Sequence, residues 1–150
     1  SDITIHGSTS LVLGFGRCGV TLAHSLDGLG ARVIVAARST ADLARAHVFG
    51  YHAISFTSLA DVIGSCDFIF NTVPALVLPR QLLALTKPEV VIIDIASSPG
   101  GVDFVAAQRL GRKALLAPSL PGKVAARSAG RILGELLPRI IKKNYGGRGY

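Results

Sequence analysis

Six residues near the start place the strongest constraint on the fold. Gly14-Phe15-Gly16-Arg17-Cys18-Gly19 follow an apolar run, Ser10-Leu11-Val12-Leu13, and lead into a helical pattern from about Arg17 to Leu29. Glycines at this spacing carry little weight alone. They gain meaning from the strand before them and the helix behind them. Gly14 permits a tight turn, Gly16 leaves the backbone open to close approach, and Gly19 lets the helix pack near the strand. The start of such a helix offers unpaired N–H groups and a partial positive charge, so the loop is expected to grip the pyrophosphate of a dinucleotide. Arg17 could reach phosphate or adenine, whereas Cys18 needs only to be small.

Short apolar runs alternate with amphipathic ones along the rest of the chain, the pattern of a parallel sheet covered by helices. In the first helix Val20, Leu22, Ala23 and Leu26 turn inward, and Gly28 and Gly30 end it. Strands are expected at residues 32–37, 52–55, 67–71, 89–94 and 113–116. Helices are expected from about Thr40 to Phe49, from Ser58 as a cap through Ile63, from Pro79 to Leu85, and from Asp103 to Leu110. A last helix should run from about Lys123 towards Ile141, kinked or stopped by Pro138. Six strands with these crossovers predict an α/β Rossmann fold, a doubly wound parallel six-stranded sheet with helices on both faces in the order 3-2-1-4-5-6. The whole of 1–150 reads as one NAD(P)-binding domain, with a flexible tail at 145–150. The chain begins with Ser and lacks Met, so it reads as a fragment of a longer protein.

Composition narrows the function classes. With 49% hydrophobic and 17% charged residues the chain suits a packed domain rather than a disordered one. Its apolar runs are broken before the ~20 residues of a membrane span, and no signal peptide is expected. The net charge of +7 raises the question of nucleic acid, but the basic residues are dispersed apart from Arg139, Lys142, Lys143 and Arg148, and aromatics make up only 6%. A solvated basic tail is the expected reading, with no nucleic acid as partner. Cys18 and Cys66 lack metal-site spacing and read as reduced cytosolic thiols. No metal site is expected, and the localisation is expected to be cytoplasmic.

The end of the second strand bears on which dinucleotide binds. An acidic residue about 20 positions after the glycines ordinarily holds the ribose 2′-hydroxyl of NAD, and none occurs between Asp27 and Asp42. The run is Ala36-Ala37-Arg38-Ser39-Thr40 instead. Arg38 offers a bidentate partner for a 2′-phosphate and the two hydroxyls add donors. NADP is therefore favoured, with NAD as the alternative. Asn71-Thr72-Val73-Pro74, after the fourth strand, are expected along the nicotinamide ribose. Ser97, Ser98, Gly100 and Gly101 after the fifth strand, and Pro121, Gly122 and Lys123 after the sixth, are expected to hold a carboxylate through backbone N–H groups and positive charge. The catalytic acid or base is unknown. His6, His24, His47 and His52 fall away from the expected cleft, and Asp94 reads as a strand-end hydrogen-bonding group.

Four segments carry a more specific resemblance: residues 12–17, 70–75, 93–104 and 120–125. Through them the chain resembles the C-terminal nucleotide-binding domain in the family of dipicolinate synthase A subunits, from about His6 to Leu137. The resemblance implies an N-terminal domain absent from this chain and a second, flavoprotein-like subunit. It also implies a small dicarboxylate substrate in the mother cell of a spore-forming bacterium. The implied reaction forms dipicolinate from 4-hydroxytetrahydrodipicolinate or the dihydrodipicolinate derived from it, with hydride passing to a nicotinamide cofactor. The family shows Ala-Pro-Lys where this chain has Ala125-Ala126-Arg127, so roles at those positions do not carry over. Three alternatives stay open: a shikimate- or 2-hydroxyacid-dehydrogenase-like oxidoreductase, a nucleotide-sensing regulatory domain, and a methyltransferase. The last two would ordinarily place an acid after the second strand. Homo-oligomer formation is left open.

Overall fold

Aliphatic and β-branched runs that leave no polar face can be strands only if both faces of the sheet are covered. The computed structural model, which describes residues 4–97 and 99–117, shows this arrangement. The strands are β1 (Thr9–Leu13), β2 (Arg32–Ala37), β3 (His52–Ser55), β4 (Phe68–Asn71), β5 (Val91–Asp94) and β6 (Lys113–Leu116). They form one sheet of order β3-β2-β1-β4-β5-β6, parallel throughout. This is the expected doubly wound order. Every residue of β4 and β5 is buried, as is β2 after Arg32.

The helices are α1 (Arg17–Gly28), α2 (Thr40–Val48), α3 (Leu59–Val62), α4 (Arg80–Leu83) and α5 (Phe104–Arg109). Leu22, Ala23 and Leu26 of α1 and Ala46 of α2 join Val12, Val33, Val35, Phe68 and Phe70 in one core layer. Leu59, Leu83, Ala106 and Ala107, from α3 to α5, join Leu11, Leu13, Ile34, Ile69 and Ile92 on the opposite face. Alternate residues of each strand thus point into opposite layers, as the two-residue strand period requires.

Local differences from the sequence expectations have simple causes. The helix expected at Ser58–Ile63 is divided into a 3-10 turn (Phe56–Ser58), α3 and a second 3-10 turn (Ile63–Ser65). Its cap is Ser55, whose hydroxyl accepts from the Thr57 N–H at 3.3 Å, while Ser58 makes no side-chain cap bond. α4 starts one residue after Pro79, whose carbonyl accepts from the N–H groups of Leu82 and Leu83. β5 starts at Val91 because the Val90 N–H turns back to the Lys87 carbonyl at 3.1 Å. The helix expected from Lys123, Ser98, Pro121, Gly122, Lys123 itself, the basic cluster and the tail all lie outside the described residues.

The register fixes where a ligand can sit. Leu13 pairs with Ala36 and Asn71, and Asn71 pairs with Asp94, so these residues share the C-terminal edge of the sheet. The strand order reverses between β1 and β4, and the crevice outside that point is where open α/β sheets bind ligands.

Candidate nucleotide-binding site

The glycine loop leaves β1 at this edge. Gly14 has φ +95°, and a Cβ there would lie 2.5 Å from Thr72 Oγ1 and 2.9 Å from Val73 Cγ2. A side chain is excluded on both conformational and steric grounds. A Cβ on Gly19 would run into the Gly14 carbonyl, so α1 packs directly on the turn. Gly16 is different, because a Cβ there would have nothing within 4 Å. Its openness lies at the N-cap of α1, where no side chain caps the helix and no acid sits in the first turn. The N–H groups of that turn keep their capacity for an anion. The cradle fits a dinucleotide pyrophosphate.

One side chain of α2, Arg45, fixes the loop. Arg45 Nη2 donates to the Phe15 carbonyl at 3.0 Å and to Asp42 Oδ1 at 2.6 Å. Its guanidinium also lies 5.3 Å above the Phe15 ring. Phe15 is buried and meets Phe49 and Tyr51 edge to face, with centroids 6.4 and 6.3 Å apart. His24 hydrogen-bonds the Tyr51 hydroxyl through Nδ1 at 2.8 Å and stacks edge-on against Phe49. These contacts occupy His24 structurally, away from the loop backbone.

At the end of β2, Ala37 is buried and Arg38, Ser39 and Thr40 are exposed. Ser39 caps α2 by accepting from the Asp42 N–H at 3.0 Å. Its hydroxyl proton remains available. Arg38 has its guanidinium carbon 5.5 Å from the Phe56 ring centroid.

The opposite wall is a buried polar network. Asn71 and Asp94 are fully buried at the ends of β4 and β5. Asn71 Nδ2 donates to Asp94 Oδ1 at 3.0 Å and to the Val73 carbonyl at 2.9 Å, while its Oδ1 accepts from the Val73 N–H. Asp94 also accepts from the N–H groups of Ala96 and Gly101 at 3.2 and 2.8 Å. Thr72 donates to the Leu13 carbonyl at 2.7 Å. The polar side chains of Asn71 and Thr72 are thus committed to shaping the turn, and the exposed Pro74 with the half-buried Thr72 and Val73 forms its surface.

The loop after β5 differs from expectation in one respect. The sequence predicts backbone N–H groups presented outward, but the Gly100 N–H donates to the Ser97 carbonyl at 2.8 Å and that of Gly101 to Asp94. Both glycines are buried, and the Gly101 carbonyl in turn accepts from Val77 and Leu78. Among the described residues of this loop, Ser97 and Pro99 are exposed. Closing the loop onto Asp94 satisfies a buried carboxylate that has no cation paired with it among the described residues, which outweighs leaving those donors free.

Comparison with known proteins follows the same lines. Residues 1–102 match the family model for the NAD binding domain of D-isomer specific 2-hydroxyacid dehydrogenases. The chain belongs to this family. It is also a homologue of the A subunit of dipicolinate synthase, being 44% identical to that protein of Bacillus subtilis (strain 168) over 141 residues, 94% of this chain and 48% of the relative. The crystal structure of the dipicolinate synthase A subunit from Bacillus halodurans superposes with a TM-score of 0.78 at 42% identity, over 94% of this chain and 48% of that one. Its Bacillus subtilis counterpart gives 0.77 at 43% identity, over 97% and 49%. The chain therefore spans about half the length of these relatives.

Among the described residues of this dehydrogenase-family domain, no group of three or more His, Cys, Asp or Glu could hold a metal, and no helix is long and apolar enough to cross a membrane. Burial pushes the Cys18 thiol up. It pushes Cys66 up to about 11, with Asp67 adding to the effect and Lys87 opposing it. Neither thiol is poised as a nucleophile. Sequence reasoning missed Arg45 and Phe56. The Asp42–Arg45 spacing signals an ion pair on one helix face, but nothing local announces that Arg45 reaches back 30 residues to the glycine loop.

Proposed function

We propose that the chain is the nucleotide-binding domain of the A subunit of a dipicolinate synthase. In this reading it binds NADP in preference to NAD and works in an oxidoreductase that forms dipicolinate from dihydrodipicolinate or its 4-hydroxytetrahydro precursor. The similarity to the Bacillus subtilis protein over 94% of the chain carries this reading. The open N-terminus of α1 at Gly16 agrees with it.

Gly14, Gly16, Gly19 and the first turn of α1, with Arg17 and Cys18, would hold the pyrophosphate, and Phe15 sets the loop from below. Arg38, Ser39 and Thr40, beside Ala37, would meet the adenosine ribose and its 2′-phosphate. The turn Asn71-Thr72-Val73-Pro74 would lie along the nicotinamide ribose. A nicotinamide held there would supply the hydride acceptor for aromatisation of the substrate ring. Ser97 and Ser98, with Gly100 and Gly101 shaping their loop, and Pro121, Gly122 and Lys123 would form the dicarboxylate edge. No described His faces this crevice, and Asp94 is fully engaged by three N–H donors. The proton released on oxidation therefore passes to a group outside these residues, in a further domain or in a second, flavoprotein-like subunit. Cytoplasmic action in the mother cell of a spore-forming bacterium follows from the same reading.

The test is reconstitution of the full-length protein with its second subunit, NADP and the lysine-pathway precursor. Dipicolinate should appear by its ultraviolet absorbance. No product with both subunits present overturns the assignment. The match of residues 1–102 to 2-hydroxyacid dehydrogenases favours a second reading, which predicts turnover of simple 2-hydroxyacids by the full-length protein without any partner.

A further inference from the structure

Arg38 stands one residue beyond β2, at the C-terminal edge of the sheet, with its guanidinium over the ring of Phe56. Phe56 opens the 3-10 turn that follows β3. Its ring is half-buried and packed against the core layer containing Ile54 and Leu59. Ser55 fixes the same turn through the Thr57 N–H at 3.3 Å and the Thr57 hydroxyl at 3.0 Å. The aromatic face under Arg38 is therefore held from below by core packing and from the side by hydrogen bonds.

Among the described residues the Arg38 guanidinium makes no hydrogen bond and no ion pair, so its five N–H donors are uncommitted. The acid nearest in sequence, Asp42, is drawn to Arg45 at 2.6 Å. An exposed arginine loses rotamer freedom when it grips a phosphate. One already laid on an aromatic face has lost part of it before the ligand arrives, which favours binding.

We propose that Phe56 is a positioning residue for cofactor specificity, bracing Arg38 so that its free donors take the 2′-phosphate of NADP. The inference rests on the reading that this domain prefers NADP. Phe56 touches no part of the nucleotide in this role. It acts only through Arg38, so its influence is confined to ligands that carry the 2′-phosphate.

The experiment uses the full-length protein and measures Kd for NADPH and NADH by their own fluorescence. Calorimetry with adenosine 2′,5′-bisphosphate and 5′-AMP isolates the phosphate itself. Phe56→Leu should weaken NADPH and the bisphosphate by roughly two- to fivefold, the worth of an exposed cation–π contact. It should leave NADH and 5′-AMP unchanged, and Phe56→Tyr should restore the wild-type ratio. Arg38→Ala should weaken NADPH roughly ten- to a hundredfold. Equal weakening of NADPH and NADH by Phe56→Leu would show a merely structural role and overturn the proposal. If Arg38→Ala removes the preference while Phe56→Leu leaves it intact, the brace is overturned and the NADP reading stands. If Arg38→Ala leaves the preference unchanged, the NADP reading falls and the proposal with it.

Discussion

Cys66 shows how one buried side chain limits the stability of this domain at alkaline pH. Its side chain is fully buried before β4, and burial pushes the thiol up to about 11 from the ordinary 9.0. Between these values an unfolded chain releases the proton and the folded one keeps it, so stability falls as pH rises from about 9 to about 11. At about 1.36 kcal/mol per unit, the loss by pH 10.5 should be about 2 kcal/mol. Urea unfolding at pH 8 and pH 10.5 checks this. Cys66→Ala should lower stability at both values for lack of packing, yet show an alkaline loss smaller than wild type by about that amount. Equal alkaline losses in the two proteins would assign the effect to other groups. The same residue scale separates what could be read in advance from what could not. Gly14 and Gly19 were legible because their spacing reports backbone constraints that are local. Arg45 was not, because its partner carbonyl lies 30 residues away.

Among the elements, α2 holds the glycine loop as well as flanking the sheet. Arg45 bonds the Phe15 carbonyl while resting on the Phe15 ring, and Asp42 holds the guanidinium in place. On the proposed reading the loop meets the pyrophosphate, a group common to both cofactors, and Arg45→Ala should loosen it. The expected result is a loss of roughly threefold in affinity for NADPH and NADH alike, a fraction of one charge-assisted hydrogen bond, because Arg45 acts on the loop and not on the ligand. Parallel fluorescence titrations of the two cofactors would detect it. A loss confined to NADPH would instead place Arg45 at the 2′-phosphate. The sequence marked β2, β3 and β6 at their observed ends, most clearly β2, whose β-branched run stops at Arg38-Ser39. It misjudged the segment after β3, where Ser55 and Ser58 are both competent caps and only packing of Phe56 and Leu59 selects between them.

For the whole molecule, the chain covers about half of the length of its relatives, and its crevice holds no uncommitted proton carrier among the described residues. On the proposed reading, the 150-residue chain produced alone should bind NADPH but yield no dipicolinate, whereas a full-length protein with a second subunit should yield it. Product formation by the short chain alone, followed by absorbance, would contradict this division of labour. The fold was legible at this scale because two-layer burial leaves its mark on every strand. The far side of the site was less so, since Asn71 and Asp94 lie 23 residues apart and only the sheet register brings them together. That network makes the two sides of the crevice unequal in their tolerance of change. On the Asn71 side almost any replacement strands a buried donor or acceptor, so variation there is costly to the fold. On the Arg38 side the residues are exposed, and exchanging them leaves the core untouched. On the proposed reading, cofactor preference in this scaffold can thus drift or be redesigned at the Arg38 side while the Asn71 wall stays as it is.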